Sequence, residues 1–181
     1  MAEGTAGQTG TDRPAAAGRH IERLMADLAS KDGLKRVRAR KTLVFIGEPA
    51  VSHLVKALKD KQEWVRWEAA KTLSQIGSPA ATLALIAALE DKMFDVRWLS
   101  AEGLIAIGRD ALVPLLHALV DRAESSWLRE GVHHVLHGIE DREFEAIIAP
   151  VISSLEGTTP IEVPLAAEKA LDKLGHGGAH Q

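Results

Sequence analysis

The sequence predicts an all-α fold, an α-solenoid (α-α superhelix) of about five stacked helix pairs. Three observations carry this. Segments of the chain return at intervals of 30 to 32 residues. Each copy contains two stretches whose apolar residues recur at helical spacing. No stretch sustains the period-two alternation of a half-buried strand. A fixed period of this size marks a repeat architecture, because one helix pair cannot cover its own apolar face and a stacked neighbour must.

The elements follow in order. Residues 1–18 (MAEGTAGQTGTDRPAAAG) are rich in Gly, Ala and Thr and bury too little surface to order themselves, so they are expected to be a flexible tail. They lack the basic and apolar regions of a secretory signal. The repeats then occupy 19–175 as units 19–47, 48–77, 78–108, 109–140 and 141–175, and residues 176–181 form a second flexible tail. KTLVFIGEPA at 41–50 overlays KTLSQIGSPA at 71–80, and ALKDKQEWVRW at 57–67 overlays ALEDKMFDVRW at 88–98. HALVDRAESSWLRE at 117–130 continues the series with Arg129 under Arg97, and VPLAAEKALDKLG at 163–175 overlays VRWEAAKTLSQIG at 65–77. Within a unit the first helix opens with a residue such as Pro49, whose missing N–H does no harm in a first turn. The second helix carries Val65, Ala69, Ala70, Leu73 and Ile76 on one stripe and stops at Gly77, which can take the left-handed conformation of a helix C-terminus.

Composition narrows the function. The 181 residues carry a net charge of −3 and no cysteine. That excludes disulfide scaffolds, thiolate metal sites and cysteine nucleophiles, and fits a reducing, cytoplasmic setting. The near-neutral balance argues against nucleic acid as a partner. The longest apolar run, around Ala80 to Leu89, is about half of a bilayer span, so no membrane association is expected.

The repeated pattern, an acidic residue followed by Val-Arg or Leu-Arg, small residues, Leu and a closing Ile-Gly or Leu-Gly, resembles the HEAT-like repeats named after phycobilisome (bilin) lyases. The resemblance spans about residues 20 to 175. It implies that second helices line a concave surface and that the pattern's Asp and Arg tie successive repeats together. Those positions are Asp60, Asp91 and Asp121, with Arg36, Arg66, Arg97 and Arg129. The first unit lacks the Asp and the last has Pro164 for the Arg, as terminal caps often do.

All four tryptophans fall on the same part of the unit. In register, one column reads Val37, Trp67, Trp98, Glu130, Leu165; the next reads Lys41, Lys71, Glu102, His134, Lys169; a third holds Trp64 and Trp127, with Phe94 beside it. With the core stripe already filled, these positions (Trp64, Trp67, Lys71, Phe94, Trp98, Glu102, Trp127, Glu130 and His134) are expected to form a partner-binding strip. A basic run at 31–41 and an acidic stretch at 140–172 give the two ends opposite charge, which would orient a partner.

Catalytic signatures are absent. There is no phosphate-binding Gly-rich loop followed by Lys-Ser/Thr, no Gly-x-Ser-x-Gly elbow and no His-Glu dipeptide of the kind that binds iron in deoxyhypusine hydroxylase. His133, His134 and His137 form an HHxxH cluster on one helix. It is a weak metal candidate, since no carboxylate accompanies it and the three side chains are expected to point apart. The leading expectation is a non-catalytic scaffold that binds a protein or peptide, without a cofactor. The resemblance suggests an accessory subunit or cofactor chaperone as the alternative, and a histidine-metal enzyme ranks third. Apolar first helices such as ATLALIAAL leave room for self-association.

Overall fold

The structure, a computed structural model, describes residues 12–157, 159 and 161–177. Among these it contains ten α-helices and no strand: α1 (Asp12–Leu28), α2 (Gly33–Ile46), α3 (Glu48–Ala57), α4 (Glu63–Ile76), α5 (Thr82–Ala88), α6 (Phe94–Ile107), α7 (Leu112–Arg122), α8 (Ser126–Gly138), α9 (Arg142–Glu156) and α10 (Glu162–Gly177). Short 3-10 turns at Pro79–Ala81 and Gly108–Ala111 lead into α5 and α7. The first helix begins inside the segment expected as tail. Three alanines in a row favour helix and Pro14 is tolerated in its first turn. Residues 1–11 and 178–181 of the expected tails lie outside the described residues.

Local chemistry starts and stops the second helices. Asp32 caps α2 by accepting from the backbone N–H of Leu34 at 2.9 Å, and Ser125 caps α8 by accepting from Leu128 N–H at 3.3 Å. At the other end α2, α4 and α6 close on Gly47, Gly77 and Gly108, all with φ between 65° and 70°. Only glycine holds that conformation without strain.

Packing follows the two-row plan of a solenoid. Helices α2, α4, α6 and α8 contact one another in series, and α1 with α3 and α5 with α7 form the other row. The core lies between the rows. Leu43, Leu54, Leu73, Leu85, Leu104, Leu115 and Leu128 are wholly buried, each contributing about 1.5–3 kcal/mol by leaving water. The expected stripe on α4 is in place: Val65, Ala69, Ala70 and Leu73 are buried, and Ile76 packs against them half-buried. The stretch Phe94–Arg122 is long and apolar enough to cross a membrane. It folds instead as α6 and α7, broken at Gly108, with apolar faces turned into this core.

The last unit departs from the plan. α9 packs along α8, and α10 packs on α7 and α9. The final pair has therefore exchanged rows, with α9 following the second-helix row and α10 the first. The turn explains it. Where the earlier second helices end on a positive-φ glycine, α8 ends on Ile139 in an extended conformation (φ −85°, ψ 103°). The chain runs on beside α8 rather than crossing back. Residues 163–175 thus match the apolar spacing of a second helix but occupy the other row, so Leu165 and Lys169 do not continue the columns of Trp67 and Lys71. Their apolar pattern still serves: Val163, Ala167 and Ala170 are buried.

Candidate functional site

The arginines of the repeat are set by one local rule. Each donates through Nη1 to the backbone carbonyl six residues earlier: Arg36 to Ser30 at 3.0 Å, Arg66 to Asp60 at 2.9 Å, Arg97 to Asp91 at 2.9 Å, and Arg129 to Ala123. The guanidinium thereby satisfies loop carbonyls left free before the second helix. The side chain at that sixth position folds the loop: Asp60 accepts from Gln62 N–H at 2.8 Å, Asp91 from Met93 N–H at 2.8 Å. Ser30 does the same, accepting from Asp32 N–H at 3.2 Å, so the first unit has a serine where the pattern has its Asp.

What differs is the tie to the next unit. Arg66 forms a two-pronged pair with Asp91, at 2.6 Å from Nε and 3.0 Å from Nη2, with both side chains at most 10% exposed. That hydrogen bond holds the Arg66 pKa above its ordinary value, burial working against it. Arg36 does not reach Asp60. It donates to Glu68 at 3.1 Å, and Arg40 donates to the other oxygen of the same buried carboxylate. Two cations of the basic run at 31–41 thus share a single carboxylate inside the stack. Asp121 is not part of the ladder. The fourth unit has two extra residues before its arginine, which leaves Ala123 at the sixth position and Asp121 exposed on the last turn of α7.

Without a carboxylate to meet, Arg97 turns to aromatic rings. Its guanidinium lies 4.6 Å from the centre of the Trp127 ring and 5.6 Å from that of Phe94, a cation–π arrangement. Trp98 stacks on Phe94 at 6.3 Å and meets the His134 ring at 4.5 Å. His134 in turn contacts Glu102, Nε2 to Oε1, at 3.0 Å. Phe94, Arg97, Trp98, Trp127 and His134 surround a cavity of about 330 Å³ between α6 and α8, completed by Glu130, His133 and His137. Phe94, Trp98 and Trp127 are 61%, 46% and 43% exposed, so the rings are offered to solvent rather than sealed between units.

The expected strip is accordingly divided. Phe94, Trp98, Trp127, Glu130 and His134 come together around the cavity, with Glu102 joined through His134. Trp64, Trp67 and Lys71 lie apart from it, on α4. The Trp64 indole donates to the Ala29 carbonyl at 3.3 Å. Trp67 lies under Arg40 at 5.6 Å and packs half-buried against the core. Two features escaped the sequence reading. Arg97, expected only as a ladder residue, is a wall of the cavity. Glu156 of α9, which no spacing rule connects to α8, stands beside the histidines.

That last contact corrects the expectation for the cluster. His133 and His137 converge, rings edge to face at 4.6 Å. Their Nε2 atoms lie 3.4 Å and 3.6 Å from Glu156 Oε1. Only His134 points elsewhere. A carboxylate is present after all, supplied by the row exchange that brings α9 alongside α8.

At the same junction Arg109 pairs with Asp141 at 3.1 Å and Glu143 at 2.5 Å and covers the Phe144 ring at 4.4 Å. Arg109's hydrogen bond holds the Asp141 carboxyl below its usual range, and the two carboxylates hold the Arg109 pKa above its own.

Fold and repeat together define the class of architecture: an all-α solenoid of stacked helix pairs. The family described as HEAT repeats matches residues 21–102. Among solved structures, the complex of CpcE and CpcF of phycocyanin lyase from Nostoc is similar in fold. Its TM-score is 0.57 at 23% identity, over 84% of this chain and 98% of that one. No curated protein sequence matches this chain.

Proposed function

We propose that the chain is a non-catalytic interaction module that holds a partner protein or peptide in the aromatic cavity between α6 and α8. The carrying observation is that cavity: three exposed rings, a cation laid across two of them, Glu130 in its wall and Glu102 joined to it through His134. Trp and Arg are over-represented among the anchors of protein interfaces. Such a site suits an apolar or aromatic side chain flanked by a basic residue, which would meet the two glutamates. The helices on both sides are anchored in the core, so little order has to be imposed on binding.

The test uses peptides selected on the purified protein from a random display library. Replacing Trp98 by Ala should leave the helical circular dichroism unchanged and weaken the selected peptides at least ~10-fold. Trp67→Ala should instead lower thermal stability and leave their affinity nearly intact. Peptides that bind wild type and Trp98→Ala equally would overturn the reading.

A second reading rests on the likeness to the phycocyanin lyase complex. The rings could shelter a flat tetrapyrrole while this chain acts as an accessory subunit. Titration of a bilin should then quench tryptophan fluorescence in wild type and less in Trp98→Ala, and a flat titration would discard it.

A further inference from the structure

We propose that His133, His137 and Glu156 form a mononuclear site for a divalent transition-metal ion of the zinc or cobalt type. The inference goes beyond the partner-binding reading and does not depend on it. Its basis is convergence from two separate helices. Two imidazoles one helical turn apart on α8 and a carboxylate on the last turn of α9 bring all three ligand atoms within 4.8 Å of one another.

The spacing fits the chemistry. Metal–nitrogen and metal–oxygen bonds of about 2.0–2.1 Å in a tetrahedral arrangement place ligand atoms roughly 3.3 Å apart. The two imidazole-to-carboxylate separations are 3.4 Å and 3.6 Å. The two imidazoles lie within 4.8 Å of each other, and side-chain rotation would close the three donors on an ion. Nitrogen and oxygen donors without sulfur suit zinc, cobalt(II), nickel or iron(II) over soft ions. All three side chains are between 36% and 56% exposed, which gives the ion a path in and leaves coordination positions for water. Both histidines also border the aromatic cavity, so a donor atom on a bound molecule could take one of those positions.

The alternative use of this geometry is a plain ion pair between a protonated imidazole and Glu156. The two are separated by titrating the full chain with cobalt(II), read by visible absorption, and with zinc, read by calorimetry, both without any partner. His176 and His180 near the C-terminus supply a competing histidine source, so H176Q/H180Q is the control. The expected result is one equivalent of metal at micromolar affinity or tighter, with the intense cobalt bands of a four-coordinate site. Affinity should fall at least ~10-fold in E156Q and further in H133Q/H137Q, stay unchanged in the tail control, and drop as acid protonates the imidazoles. Thermal stability should rise with bound zinc in wild type and equally in the tail control, and less in E156Q and H133Q/H137Q. The partly exposed positions make the variants' folding easy to confirm by circular dichroism. Wild type that takes up no metal at about 100 μM, or binding abolished by H176Q/H180Q and untouched by E156Q, would overturn the proposal.

Discussion

The junction of α4 with α6 and the junction of α8 with α9 are made from the same repeat and come out differently. At the first, two second helices stack, a buried Arg66–Asp91 pair crosses between units, and Gly77 in the left-handed region sends the chain back to the other row. At the second, no glycine stands at 139, the chain stays in its row, and exposed pairs from Arg109 to Asp141 and Glu143 join the units. Both junctions bury apolar side chains well. The apolar pattern thus decides that helices stack, while the backbone conformation at the turn decides which row each joins. The cation ladder follows the turn: where the loop length changes, the arginine loses its carboxylate and is free to stand against rings.

Four substitutions test this contrast, from large effect to small. Leu104 of α6 is wholly buried, and Leu104→Ala should cost about 3 kcal/mol, lowering the denaturation midpoint of the whole solenoid in one step. Hydrogen exchange would sharpen the comparison. Amides of α4 and α6 should be protected up to global unfolding, and those of α9 should open earlier. Equal protection would mean the last pair is no weaker than the rest.

Next comes Arg66→Ala. It strands Asp91 at a nearly buried position and should cost about 2 kcal/mol in urea denaturation. Arg97→Ala should cost clearly less, since it leaves no buried carboxylate behind. If the two variants were equally stable, the ladder would carry no energy of its own.

The smallest effect belongs to Arg109→Ala, at a surface pair. Asp141 has a folded pKa below its unfolded one, so its contribution is present above the ordinary carboxylate range and is lost as pH falls through the folded value. The stability gap between wild type and this variant should therefore be largest near neutrality and close toward acid. A gap that stayed constant with pH would remove the pair from the account.

Much of this was legible in the residues. The period, the two-helix unit, the buried stripe on α4 and the role of Gly77 all follow from spacing, because local sequence dictates helix and turn. The clustering of Phe94, Trp98, Trp127, Glu130 and His134 was legible too, since register in a stack converts into proximity. Three things were not. Register could not show that Trp67 would be packed under Arg40 while Trp98 stayed exposed, because that depends on Arg40 and Glu68 meeting across units. It could not show the row exchange, which turns on one backbone angle at Ile139. And it could not bring Glu156 to the histidines, because that contact exists only once the exchange has happened.

The return of α10 onto α7 has a practical consequence for handling the molecule. Its final turn lies at the back, near Val113 and His117, away from the aromatic recess. A fluorophore or surface tether attached at Leu174 would sit on the α7 side of the stack, and immobilised molecules would keep the α6–α8 recess open to whatever flows past.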